Sequence, residues 1–229
     1  MDKVVWLIAG NKGGVGKSVV AKSMVEWLRR NQTPVLIVDG DKRTPDVHAS
    51  FCDTATTKQF DLNEETGWPL FSDFICETGF NGHVVTNLPD GISERAILYF
   101  QRLERLADSY DFEIKVLFVI NTLPDGLHLF DKLSGSFKNV FPVKNLCFGS
   151  PSEFGHFDQT FGAKYADQTI LFPRMAFKIM MLVRESSMPF QEFSEQTGDA
   201  HTNFTYAKLI VADWRDNMFE ALDEVLLGE

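Results

Sequence analysis

The chain has 229 residues, 44% hydrophobic and 24% charged, which is enough for one sizeable core and excludes collagen-like, disordered and membrane-spanning compositions. A formal charge of -10 at pH 7 repels phosphate backbones and anionic lipid, and no basic run offsets it, which argues against direct DNA binding. Cys52, Cys76 and Cys147 stand far apart with no CxxC pair, so they suggest neither a disulfide framework nor a zinc site and fit a reducing cytoplasm. We therefore expect a single cytoplasmic domain over residues 1–229.

The apolar run Val4 to Ala9 ends in Gly10 and predicts a buried strand feeding a loop. Val20, Met24, Trp27 and Leu28 then recur at helical spacing between Ser18 and Arg30, and Pro34 closes the connection to a second apolar run, Val35 to Val38. Further strands are predicted at Val84–Leu88, Ile114–Ile120, Val140–Leu146 and Thr169–Phe172, with spacings that can hold helices. This alternation predicts an α/β fold of three layers, a mostly parallel sheet covered by helices on both faces. The stretches Thr44 to Gly82 and Ser186 to Asn203 lack a clean period and read as surface lobes or partner-contacting loops. A last helix is predicted from about Tyr206 to Leu227, with Ile210, Trp214, Met218, Leu222 and Val225 as its apolar stripe and an acidic opposite face that argues against membrane attachment.

Lys12-Gly-Gly-Val-Gly-Lys-Ser18 lies between the first strand and the first helix, where backbone N–H groups and a helix N-terminus converge on an anion. Gly13, Gly14 and Gly16 let the chain wrap around phosphate oxygens, with Val15 and Val19 completing the cradle. Lys17 neutralises the β and γ phosphates of ATP, and the Ser18 hydroxyl suits magnesium. The general GxxxxGK[ST] pattern wants glycine where Asn11 stands and does not call for the second lysine, Lys12. KGGVGKS with that extra lysine resembles the deviant Walker A motif of the ParA/MinD family of ATPases. The resemblance implies that Lys12 reaches the nucleotide of a partner subunit, so that ATP is coupled to homodimerisation.

Val35-Leu-Ile-Val-Asp-Gly-Asp41 resembles the family's DxD segment, which implies that Asp39 holds a magnesium-bound water and Asp41 positions the attacking water. Val84-Val-Thr-Asn-Leu-Pro-Asp-Gly91 resembles the Walker B strand, with Asn87 where aspartate is expected. An amide accepts a hydrogen bond from metal-bound water but lacks the charge, so slow hydrolysis is expected, and Asp90 would supply that charge only if its loop folds back. The similar ending Asn121-Thr-Leu-Pro-Asp-Gly126 reads as shared turn chemistry rather than duplication. Asn145 matches the asparagine that reads adenine in this family, and Phe172-Pro173 resembles the segment that closes over the base. Asn87-Leu-Pro and Lys144-Asn-Leu-Cys-Phe-Gly149 resemble short plasmid-borne members of the StbB/TraL type.

The resulting expectation is a magnesium-dependent ATPase switch acting with a protein partner in plasmid stability, partition or conjugative transfer. An ATP-reading module with little hydrolysis is the alternative that Asn87 raises. A metabolic relative with an iron–sulfur cluster finds no suitable cysteine spacing, and a small ligase finds no announced substrate residue. The five histidines show no ligand spacing, and Met175, Met180, Met181 and Met188 with Phe177 and Phe190 read as core before partner surface.

Overall fold

A computed structural model describes residues 3–10, 12–90, 94–196 and 205–228; Asn11, Gly91 and the 197–203 part of the second irregular stretch lie outside the described residues. The elements run β1 (Lys3–Gly10), α1 (Lys17–Arg30), β2 (Val35–Asp39), α2 (Asp46–Phe51), β3 (Thr57–Gln59), α3 (Gly67–Glu77), β4 (His83–Asn87) and α4 (Glu94–Tyr110). They continue with β5 (Phe112–Ile120), α5 (Leu127–Ser134), β6 (Asn139–Asn145), α6 (Gly155–Phe157), β7 (Ile170–Phe172), α7 (Phe177–Ser186), α8 (Phe190–Glu195) and α9 (Thr205–Leu226).

Among the described residues the strands form one seven-stranded sheet in the order β3-β2-β4-β1-β5-β6-β7, and every pairing is parallel. Alternate residues of the strands serve two cores. Trp6 and Ile8 of β1 join Ile37, Val85, Leu117 and Val119 under α1, α7, α8 and α9. Val5, Leu7 and Ala9 join Leu36, Val38, Val84 and Phe118 under α3, α4 and α5. Burial on both faces is why these strands read as unbroken apolar runs instead of alternating ones.

The segment 44–82, read from sequence as irregular, contains α2, β3 and α3. Each is short or masked by its residues: β3 is three residues at the sheet edge, and α3 begins Gly67-Trp68-Pro69, where proline is tolerated because the first-turn N–H groups have no intrahelical partner. Trp68 anchors α3 by burying its ring and donating from Nε1 to the Leu62 carbonyl at 3.0 Å.

The last helix docks on the domain. Its deepest contacts come from Val211, Trp214, Met218 and Leu222, whereas the predicted Ile210 and Val225 are only half-buried. Asp223, on the nominally acidic face, accepts from Trp27 Nε1 at 2.7 Å and pairs with Arg30 at 2.9 Å. Glu26 of α1 is buried and ties α8 and α9 down, accepting from Gln191 N and Arg215 Nε at 2.9 Å each. Burial raises the Glu26 carboxyl above its usual range, against the pull of these donors. No helix among the described residues is long and apolar enough to cross a membrane.

Candidate functional site

Because all strands run the same way, their C-terminal ends share one edge of the sheet. Ile8 and Asp39 both lie in register with Asn87, Gly10 with Val119, and Asn145 with Phe172. Residues distant in sequence therefore meet outside that edge, where ligands of open α/β sheets bind.

The loop after β1 makes a specific backbone demand. Gly14 and Gly16 have φ of 77° and 104°, a region that side chains strain to enter, and a Cβ on Gly16 would collide with the Asn145 side chain. Helix α1 starts at Lys17 with no side-chain cap and no acidic residue in its first turn, which leaves its positive end available to an anion. Lys17 is only 5% exposed; its Nζ donates to the Lys12 carbonyl at 2.9 Å and pairs with the Asp90 carboxylate. Lys12 is exposed and pairs with Asp125 in the loop after β5.

Asp39 is fully buried. Its Oδ2 accepts from the backbone N–H groups of Val47 and His48 at 3.0 and 3.1 Å, so it caps α2 from outside the helix, and its Oδ1 accepts from Asp41 N at 3.3 Å and Asn87 Nδ2 at 3.1 Å. Burial still raises the Asp39 carboxyl above its ordinary range. Asn87 explains itself in this setting, because a neutral amide donates to the buried carboxylate where a second carboxylate would repel it. Its own Oδ1 is buried with no hydrogen-bond partner, an orphan acceptor of the kind that a ligand's water satisfies. Asp41 is half-buried and accepts from Arg43 N at 3.0 Å and Thr44 Oγ1 at 3.4 Å.

Gly14, Gly16, Lys17, Ser18, Val19, Asp41, Asn87, Asp90 and Asn145 line one cavity of about 520 Å³, a volume within the ordinary range for small-molecule sites, with Asp39 buried behind Asn87. Val15 is buried beneath the loop, and Gly13 lies on its exposed side against Asp90. Asn145 is 5% exposed and braces the loop: its Nδ2 donates to the Val15 carbonyl at 2.8 Å while its Oδ1 accepts from Cys147 N at 3.1 Å. Beyond it the wall turns apolar, with Phe148, Phe172, Pro173 and Phe177. The methionine and phenylalanine cluster divides by burial: Met175 and Phe190 are buried, Met180, Met181 and Met188 are half-buried and Phe177 is 78% exposed, and all but Met188 line the cavity.

Sequence reading missed Lys22, Asp46, Asp125 and Arg184. Lys22 follows Ser18 by one helical turn and lines the cavity nearly buried; desolvation lowers its ammonium below the usual lysine range, although Asp46 opposes this. The available signal was its position one turn after Ser18, on a helix whose first turn follows the glycine-rich loop. Arg184 pairs with Asp46 at 3.3 Å across the cavity wall. For Asp125 the signal was the repeated Leu-Pro-Asp-Gly ending, here seen to place both aspartates on the lysines of the glycine-rich loop.

A parallel sheet with a glycine-rich loop and helix N-terminus at its C-terminal edge defines a phosphate-loop NTPase fold. The chain belongs to the CobQ/CobB/MinD/ParA nucleotide-binding family, whose domain it matches over residues 6–154. It is 28% identical over 185 residues to Protein MobD of Acidithiobacillus ferrooxidans, covering 78% of this chain and 81% of that one. Its fold is similar to that of the septum site-determining protein MinD of Pyrococcus horikoshii, complexed with Mg-ADP (TM-score 0.55, 13% identity, 93% of this chain and 95% of that one). A ParA family ATPase of Chlorobium tepidum gives the same TM-score of 0.55 at 13% identity, over 93% and 98% of the two chains.

Proposed function

We propose that the chain is a magnesium-dependent ATP-binding switch of the ParA/MinD type that dimerises with ATP and hydrolyses it slowly. The observation that carries this reading is the meeting of a buried Lys17, two positive-φ glycines and an uncapped helix N-terminus at a single cavity. Gly13 to Val19 bind the phosphates, Lys17 neutralises them, and Asn145, which braces the loop, recognises the adenine edge. Ser18, Asp39 and Asn87 are the residues that would hold the metal, Asp39 and Asn87 through its waters. Bound magnesium would neutralise charge on the β and γ phosphates. Asp41 orients the attacking water as its hydrogen-bond acceptor.

Fit to these groups is supported by the orphaned Asn87 Oδ1 and by the loop glycines, which no side chain could replace at Gly16. Lys12 acts on the nucleotide of a second subunit. Its exposure and its weak, solvent-accessible pairing with Asp125 leave it able to leave its own chain. The role in plasmid maintenance or transfer, through a cytoplasmic protein partner, rests on the resemblance to short plasmid-borne members and on the similarity to Protein MobD. A second reading, an ATP-holding module with little hydrolysis, is favoured specifically by Asn87.

Light scattering with no nucleotide, ADP, ATP and a nonhydrolysable ATP analogue, alongside phosphate release, tests the switch. The native chain should be dimeric only with ATP or the analogue, and Lys12→Ala should stay monomeric and lose at least about tenfold in turnover, the scale of one lost transition-state charge contact. Normal dimerisation and full turnover by Lys12→Ala would remove the switch reading; a native dimer with no phosphate release would favour the holding module.

A further inference from the structure

The loops after β4 and β5 end alike in sequence, Leu88-Pro89-Asp90 and Leu123-Pro124-Asp125. In the fold each presents its carboxylate to one of the phosphate loop's two lysines, Asp90 to Lys17 and Asp125 to Lys12. The two pairs differ in depth. Lys12 and Asp125 are both open to solvent, whereas Lys17 is 5% exposed and Asp90 reaches in from a side chain that is 56% exposed. The other Asp90 oxygen lies against Gly13, so close that a Cβ there would come within 2.6 Å of it. Asp90 thus holds an anionic oxygen on the loop lysine and another against a loop glycine, which is where phosphate oxygens belong in the proposed function.

We propose that Asp90 is a specificity-determining residue that makes this phosphate loop accept nucleotide together with a divalent cation in preference to metal-free nucleotide. The proposal rests on the nucleotide-binding reading above. A polyphosphate arriving alone must take Lys17 from Asp90, and it then leaves a carboxylate beside its own negative charge in a partly water-excluded cleft. A nucleotide that arrives with its cation brings a replacement counter-charge for that carboxylate. The other acids near the site are already engaged: Asp39 by four donors, Asp41 by Arg43 N and Thr44 Oγ1, and Asp46 by Arg184. Asn87 is neutral and offers the cation no charge, so Asp90 is the carboxylate of the cavity whose partner changes on binding.

The test is equilibrium binding of a fluorescent ADP to the full chain, with excess magnesium and with EDTA, for the native protein, Asp90→Asn and Asp90→Ala. Folding of each is checked by its thermal melt. The native protein should bind with a clear magnesium dependence. Both variants should bind metal-free nucleotide about three- to tenfold tighter than native, because the competing carboxylate is gone and the vacant loop is more populated, and their magnesium dependence should shrink. If the native chain binds ADP and the variants gain nothing without metal, the role of Asp90 is refuted and the nucleotide reading stands. If the native chain binds neither form, the nucleotide reading fails and takes this proposal with it.

Discussion

Lys17→Ala should weaken nucleotide binding by on the order of 100-fold, the result of losing charge-assisted contacts worth about 2–3 kcal/mol from a buried position. The side chain emerges from the first turn of α1, is 5% exposed, and is held straight along the loop by the Lys12 carbonyl at 2.9 Å. No other lysine can take its place: Lys12 points to Asp125 and Lys22 sits a turn further along the helix, with desolvation disfavouring its charge. The fold should survive, since the lost internal partner, Asp90, is more than half exposed and returns to water. Calorimetric titration of native and variant with ADP and magnesium measures the difference, and a loss below about threefold would mean that the phosphates bind elsewhere.

Asn87→Asp should destabilise the metal-free protein by about 3 kcal/mol, a Tm decrease of roughly 6–12 °C for a chain of this size. The amide now donates to Asp39 Oδ1 at 3.1 Å, and both side chains are essentially sealed, at 2% and 0% exposure. A carboxylate in its place would face another buried carboxylate, and the pair would keep one proton well above the ordinary range. The sign of the pH dependence follows from that. Folded-state pKa values above those of the unfolded chain mean that the folded protein binds more protons, so the variant should recover stability as pH falls through the raised range and lose it as pH rises. Magnesium with nucleotide should restore more stability to the variant than to the native chain, because the cation relieves the new repulsion. Thermal melts across pH, with and without magnesium and ADP, read this directly; a variant as stable as native without metal would show that position 87 does not govern charge at the site. A large gain in turnover by the variant would indicate that the native residue is tuned to hold nucleotide.

The parts of this protein that were legible in sequence are the ones built locally. Val4 to Gly10 and Val35 to Asp39 announce buried strands because both of their faces are covered, and the Lys12–Ser18 loop announces itself because its glycines, lysine and serine act within a single turn. Helix α2 was not legible: its six residues carry no clean stripe, and much of its anchoring comes from Asp39, seven residues upstream of its first residue. The edge strand Thr57-Lys58-Gln59 is too short and polar to register as one. Long-range pairing was invisible for the same reason. The repeated Leu-Pro-Asp-Gly ending hints that Asp90 and Asp125 play matching parts, but it does not name the lysines, which lie some seventy or more positions earlier and are brought there only by the shared strand edge.

The central claim, that the loop from Lys12 to Ser18 takes a magnesium-loaded nucleotide, is tested most directly by titrating the native chain with a nonhydrolysable ATP analogue and magnesium in a calorimeter. The prediction is a single saturable site per chain with a Kd in the micromolar range, about -8 kcal/mol. No heat of binding and no thermal stabilisation at millimolar analogue would contradict it.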